Sequence, residues 1–245
     1  MKKHFLILSI LVIGKLNAQQ IITDRPDQTE SSSTISSGHL QIESGLWLGF
    51  TEMYSQTERQ ILAPTTLFRY GITKGIEIRI LNQFENIKDQ TSSGNISGIS
   101  DIEIGTKIQL LQKNDITTEI AFLTHLIIPT GSKGLTNNIY GTINKLSISH
   151  QINENIGIGY NLGYNYYDSE KGDLTYSLAL GIGINDKAAI YIEPYGDIAE
   201  LEKHIASFDA GFTYLLQDNF QLDFSFGTGV NYTMNYISAG FSWII

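Results

Sequence analysis

Cysteine is absent from the 245 residues, proline occurs only four times, and charged side chains make up just 17%. The first absence excludes disulfide frameworks, thiolate metal centres, cysteine nucleophiles and a lipidated-cysteine anchor. The charged fraction sits below the ~25% of an average soluble domain, yet mean hydropathy is a near-neutral −0.06. Beyond the N-terminal leader no apolar run approaches the ~20 residues that a spanning helix needs, so a helical membrane protein is excluded. What the chain has instead is 23 glycines, 13 tyrosines and 11 phenylalanines, a composition suited to strands with close-packed faces.

Lys2 and Lys3 precede the apolar run at residues 5–14, and the small residues Asn17 and Ala18 follow. This predicts a secretory signal peptide over residues 1–18, cleaved after Ala18. Removing Lys2, Lys3 and Lys15 from the 16 basic residues leaves 13 against 25 acidic, a net charge of −12. An exported chain this acidic has no basic surface for nucleic acid.

From Gly38 onward apolar residues recur at every second position and helical spacing is absent. Turn signals divide residues 38–245 into twelve strands: 38–50, 61–72, 75–85, 99–112, 115–128, 139–151, 155–167, 173–185, 187–196, 204–217, 219–228 and 234–245. In the eighth of these, Leu174, Tyr176, Leu178, Leu180 and Ile182 alternate with Thr175, Ser177, Ala179, Gly181 and Gly183. A soluble sandwich studs its second face with Lys and Glu. Here the second face is mostly Gly, Ser, Thr and Asn, which fits the wet interior of a narrow barrel.

Connections give an independent test. Short ones at Thr73-Lys74, Lys113-Asn114, Asn153-Glu154, Asn185-Asp186 and Gln217-Asp218 alternate with longer polar ones at 51–60, 86–98, 129–138, 168–172, 197–203 and 229–233. That is the outer-membrane pattern of short periplasmic turns and longer external loops, with both termini in the periplasm. Aromatic residues on the apolar face fall into two girdles: Phe84, Tyr164, Tyr166, Tyr176, Phe208 and Phe226 outside, Tyr70, Tyr214, Phe220, Phe241 and Trp243 inside. Because hydrocarbon satisfies no backbone group, the sheet must close. The expectation is an all-β, closed antiparallel transmembrane β-barrel of twelve strands in the outer membrane of a Gram-negative bacterium, in contact with lipid.

The mature chain opens with Thr23-Asp24-Arg25-Pro26-Asp27-Gln28-Thr29-Glu30-Ser31. This stretch resembles the TDRPD-x-TES start of the meta-pathway phenol-degradation family of outer-membrane proteins. Further matches in family order are Phe68-Arg69-Tyr70-Gly71-Ile72-Thr73, the run Gly98-Ile99-Ser100-Asp101-Ile102-Glu103-Ile104-Gly105-Thr106-Lys107, Pro129-Thr130-Gly131-Ser132, and Ala239-Gly240-Phe241-Ser242-Trp243. The resemblance implies a transporter-like barrel for small, aromatic or hydrophobic compounds. Barrels of this kind usually present a terminal aromatic residue to the assembly machinery; this sequence closes on Ile244-Ile245, with Phe241 and Trp243 keeping the alternation.

On the face opposite the apolar one lie Arg69, Glu77, Arg79, Asp101, Glu103, Lys107, Glu119, Asp209 and Asp223, together with Glu43, Trp47, His125, Lys145, Glu193 and Tyr195. Arg69, Glu77 and Arg79 flank one tight hairpin and can pair across it. Two readings stay open: these charges seal the barrel with salt bridges, or they form a selective eyelet. Residues 19–37 carry Asp24, Arg25, Pro26, Asp27 and Glu30 ahead of the first strand, and read either as a periplasmic tail or as a plug folded back into the lumen. No cofactor or metal site is called. The five histidines form no His-x-Ser pair of a barrel phospholipase, and the acidic loop residues Asp168, Glu170 and Asp173 read as a solvated external loop. The expected function is passive passage of a small-molecule solute through a monomeric barrel. A sealed barrel whose loops bind a partner is the alternative, and a lipid-modifying enzyme ranks behind both.

Overall fold

A computed structural model describes residues 21–53, 56–89, 94–112, 117–167 and 171–245. The signal-peptide reading of residues 1–18, the turn at Lys113-Asn114 and the loop residues Asp168 and Glu170 lie outside the described residues.

Alternation of apolar and small polar residues produces strands throughout. They are β1 (Leu40–Met53), β2 (Gln56–Thr73), β3 (Ile76–Asp89), β4 (Asn95–Ile99), β5 (Ile102–Leu111), β6 (Thr118–Ile128), β7 (Gly141–Asn153), β8 (Ile156–Tyr166), β9 (Asp173–Gly183), β10 (Ala188–Ala199), β11 (Lys203–Gln217), β12 (Phe220–Gly229) and β13 (Met234–Ile244). All neighbours pair antiparallel, and β1 closes the sheet by pairing with β13 on one side and β2 on the other. The inner part of β3 pairs with β5 from Ile76↔Ile108 to Leu81↔Glu103, and its outer part pairs with β4 from Phe84↔Ile99 to Lys88↔Asn95. β4 and β5 are thus two halves of one stave, and thirteen strand segments build a closed barrel of twelve staves.

Two stretches read as external loops are largely strand. β1 and β2 stay paired up to Met53↔Gln56, and β3 runs on to Asp89 before β4 resumes at Asn95. The period-2 signal fades there because both faces of the projecting hairpins are polar, while the backbone ladder continues unchanged. The broken stave is held by the long connection after β6: Gly131 donates its N–H to Asp101 Oδ1 at 2.8 Å, and Ser132 donates its N–H to the Ile99 carbonyl at 2.8 Å.

Burial runs opposite to that of a water-soluble fold. Leu46, Leu178, Ile192, Phe224 and Ile237 are 45–49% exposed, whereas Arg69, Glu77, Arg79, Lys107, Glu193 and Asp209 have no exposure at all. An apolar belt around a charged interior is stable only in hydrocarbon. The exposed Tyr70, Tyr214 and Trp243 mark one rim of that belt and Phe84, Tyr164, Tyr166, Phe208 and Phe226 the other, where aromatic rings favour the membrane–water boundary. Leu178→Arg, in the middle of β9, is expected to cost about 2–4 kcal/mol of stability in bilayers. Reversible urea unfolding in lipid vesicles measures that loss.

Candidate functional site

Residues 24–35 bond inward-facing side chains of staves all around the barrel, from Glu43 on β1 to Asp223 on β12. The segment enters at the end where β1 begins and β13 ends, with Ile21 and Ile35 buried together against Ile244. It turns at residues 25–28 and returns to that end, where Gly38 donates its N–H to the Gly71 carbonyl at 2.8 Å. The Asp24 carboxylate spans the base of this strap by accepting from the Ser31 N–H at 2.8 Å.

One side of the strap meets a cationic wall. Asp24 Oδ2 lies 2.6 Å from Arg79 Nη1, 2.9 Å from Lys107 Nζ and 3.2 Å from Arg69 Nη1. Glu30 lies 2.7 Å from Arg79 Nη2. These cations stand together because Glu77 bridges Arg69 and Arg79, at 2.9 Å to each, while Glu43 binds Arg69 at 2.9 Å. Arg69 and Arg79 are direct partners across the β2–β3 hairpin, and Lys107 sits opposite Glu77 on β5. Arg79 Nε further donates to His125 Nε2 at 3.0 Å, and His125 Nδ1 lies 2.7 Å from Glu103.

The other side meets carboxylates. Arg25 donates from Nη2 and Nε to the two oxygens of Asp223, at 2.9 and 3.2 Å, and to Ser238 Oγ at 3.1 Å. Its guanidinium fits because two wall positions have no side chain: a Cβ at Gly45 or Gly240 would lie 2.6 or 2.5 Å from Arg25 Nη2. Gln28 donates its N–H to Glu193 at 2.7 Å, and the Thr29 hydroxyl bonds both Glu193 and Ser177. Asn161 grips the Glu30 backbone in both directions, accepting its N–H at 2.7 Å and donating to its carbonyl at 3.0 Å. Near the barrel floor Glu77 accepts the Ile35 N–H at 2.7 Å, and Glu119 accepts the Ser33 hydroxyl at 2.9 Å.

Of the inward charges read from sequence, Glu43, Arg69, Glu77, Arg79, Lys107, Glu119, Glu193 and Asp223 bond the strap directly, while Glu103 reaches this network through His125. Asp209 instead accepts from the Tyr236 hydroxyl at 2.6 Å and faces Glu193 across the β10–β11 ladder. Asp101 stands apart at the break between β4 and β5, binding Gly131 and Thr136. Gln41, Asn161, Ser177 and Ser238 also contact the strap or its partners. Their signal in the sequence is only parity, since each shares the inward register of the charges.

The two aspartates of the strap titrate in opposite senses. Burial would raise the Asp24 pKa, but Arg69, Lys107 and Arg79 outweigh it and hold the carboxyl well below its ordinary range. At Asp27 burial and then the nearby Glu193 and Asp209 carboxylates push the pKa well up. A depressed carboxyl stabilises above its unfolded value, and that contribution is lost as pH falls through the depressed value. A raised one stabilises below its unfolded value and loses that contribution as pH climbs through the raised value. The strap should therefore loosen on the alkaline side through Asp27 and only in strong acid through Asp24. Asp27→Asn is expected to flatten the alkaline limb alone, as read by amide exchange of residues 21–37 while the pH is raised from the acid to the alkaline side.

Beyond the apex of the strap the lumen opens toward the loop end. A cavity of about 320 Å³ lies against Trp47, Leu62, Tyr195 and Tyr236, with the Trp47 and Tyr236 rings stacked at 5.5 Å. Beside it, one of about 260 Å³ is walled by Leu67, Leu81, Leu123 and Ile143, inward-facing apolar residues that the charge pattern does not reveal. On the floor side a third, of about 480 Å³, lies between the strap and Glu119, Ser149 and Tyr191. Among the described residues no cluster of three His, Asp or Glu side chains is placed to hold a metal ion.

An apolar belt around an ion-paired interior defines an outer-membrane β-barrel, seated in the bacterial outer membrane. The chain belongs to the family described as "Putative MetA-pathway of phenol degradation", whose model matches residues 23–243. Among solved structures it is similar to an outer-membrane channel from Pseudomonas putida F1, with a TM-score of 0.73 at 9% identity over 87% of this chain and 97% of that one. It is also similar to the KdgM porin in complex with disordered oligogalacturonate, at a TM-score of 0.57 and 9% identity over 83% and 98% of the two chains. The NanC porin follows at 0.52 and 13% identity, over 82% and 98%. No curated protein sequence matches the chain.

Proposed function

We propose that the protein is a passive channel for small molecules in which residues 21–37 form the gate. The observation that carries this reading is the division of the lumen. Its inner half is crossed by a strap held through side-chain ion pairs and hydrogen bonds, while its outer half keeps cavities lined by Trp47, Leu62, Tyr195 and Tyr236. No strand of the strap joins the barrel ladder apart from an isolated bridge at Ser37↔Gly71. It can therefore shift without breaking a stave.

A solute entering from outside would meet the apolar and aromatic surface first, which favours a body with hydrophobic faces. It would then pass the charged inner half as the strap moves aside, with Arg69, Arg79 and Lys107 against Glu77, Glu119 and the strap acids setting local field and width. The role is transport, with no catalytic group assigned. Full-length protein in planar bilayers and in liposome-swelling assays tests the reading. Flux of small neutral solutes with resolvable channel fluctuations is expected; a folded barrel passing no solute would instead identify a sealed barrel.

A further inference from the structure

We infer that the outer half of the lumen is a binding site for small organic anions with an apolar body, held through Lys145. This deepens the channel reading, on which it rests, by naming the solute class. Lys145 projects inward from β7 between Leu123 and Gly163 on the neighbouring strands. Gly163 makes room for it, since a Cβ there would meet Lys145 Cγ at 3.0 Å and Thr175 Oγ1 at 2.4 Å.

The other inward cations are spent. Arg25 is paired with Asp223, Arg69 and Arg79 with Glu77 and Asp24, and Lys107 with Asp24. Lys145 forms no ion pair or hydrogen bond among the described residues, although it lines two adjoining cavities of about 260 and 190 Å³. The acids that share the larger cavity are each engaged: Asp24 and Glu30 by Arg79, Glu43 by Arg69 and Glu103 by His125. Of the charged groups that line the larger cavity, the unspent one is therefore an ammonium, while the Asp197 carboxylate lines the smaller one.

Its surroundings select more than charge. Leu67, Leu81, Leu123 and Ile143 form the apolar part of the same cavity's otherwise ion-paired wall, and an ammonium beside a low-dielectric surface binds an anion more strongly than one in open water. A bare inorganic anion would gain nothing from those four side chains, and a neutral apolar molecule would leave the ammonium unpaired. The volume is smaller than the ~300–1,000 Å³ of drug-sized pockets and fits a single ring or a short branched chain bearing one carboxylate.

Trp47 reports on this space, because the cavity it lines shares Arg25 and Thr65 with that of Lys145. The second tryptophan, Trp243, lies on the lipid face and is removed as Trp243→Phe. In that background, full-length barrel in detergent is titrated with cyclohexanecarboxylate, cyclohexanol and acetate, following Trp47 emission. Cyclohexanecarboxylate is expected to saturate at concentrations about tenfold lower than either of the others, since both halves of the site are needed. Lys145→Gln should erase that advantage and Lys145→Arg should keep it within a few-fold. The inference is overturned if Lys145→Gln, with native far-ultraviolet dichroism, binds the carboxylate unchanged. It is equally overturned if cyclohexanol or acetate matches it in the parent barrel. No gradient or flux enters this measurement, so a barrel that binds but does not conduct counts against the channel alone.

Discussion

Deleting residues 21–34 is expected to raise single-channel conductance several-fold and to replace fluctuating current with a steady open level. The twelve-stave ladder closes without any of these residues, so the barrel should still assemble. What disappears is the side-chain mass that crosses the lumen between Asp24 at the Arg69, Arg79 and Lys107 wall and Gln28 at Glu193. The opened pore should also prefer cations, because carboxylates then outnumber basic groups on the bare wall and fields within a narrow low-dielectric pore are weakly screened. Reversal potentials across a salt gradient check the second effect. A deletion variant with unchanged conductance would place the barrier elsewhere and remove the strap from the gating role.

Asp24→Asn should unseat the strap while leaving the barrel intact. One carboxylate faces three cations, none with any solvent exposure. Neutralising it leaves Arg69, Arg79 and Lys107 repelling one another with only Glu77, Glu43 and Glu30 in compensation. Loss of one partner from a buried ionic cluster costs about 3–5 kcal/mol. Here that cost should fall on the seated state of residues 21–37, giving faster amide exchange in the segment and more frequent opening events. Adding Lys107→Met should recover part of the loss, since residues in one ionic network do not act additively. Equal exchange in wild type and Asp24→Asn would show that the strap is held by its other contacts.

The barrel was legible in the sequence because a membrane barrel enforces one rule at every position. Leu178 must face lipid and Ser177 the lumen, and a shift of one residue would exchange them. The same rule placed Arg69, Glu77 and Arg79 on one surface, and hairpin geometry brought them within reach of one another. It said nothing of which inward residue meets which, because that depends on register across staves far apart in the chain. The rule also weakens wherever both faces have the same character. Leu67, Leu81, Leu123 and Ile143 are apolar on the inward side and so escape a search for charge, and the projecting ends of β1, β2 and β3 are polar on both sides and read as loop. Asp101 has the parity of a lumen residue but falls at the interruption between β4 and β5, where it anchors the connection after β6.

The bond between Arg25 and Asp223 joins residues 198 positions apart. Asp223 belongs to β12, so the last staves must be in place before Arg25 finds its partner. Loop-closure entropy sets such long-range contacts late. The contacts of this segment seat in stages: Asp24 meets Arg69, Arg79 and Lys107 on β2, β3 and β5, whereas Arg25 waits for β12. An incompletely zipped barrel has no Asp223 to offer, so full seating of the segment is coupled to completion of the sheet.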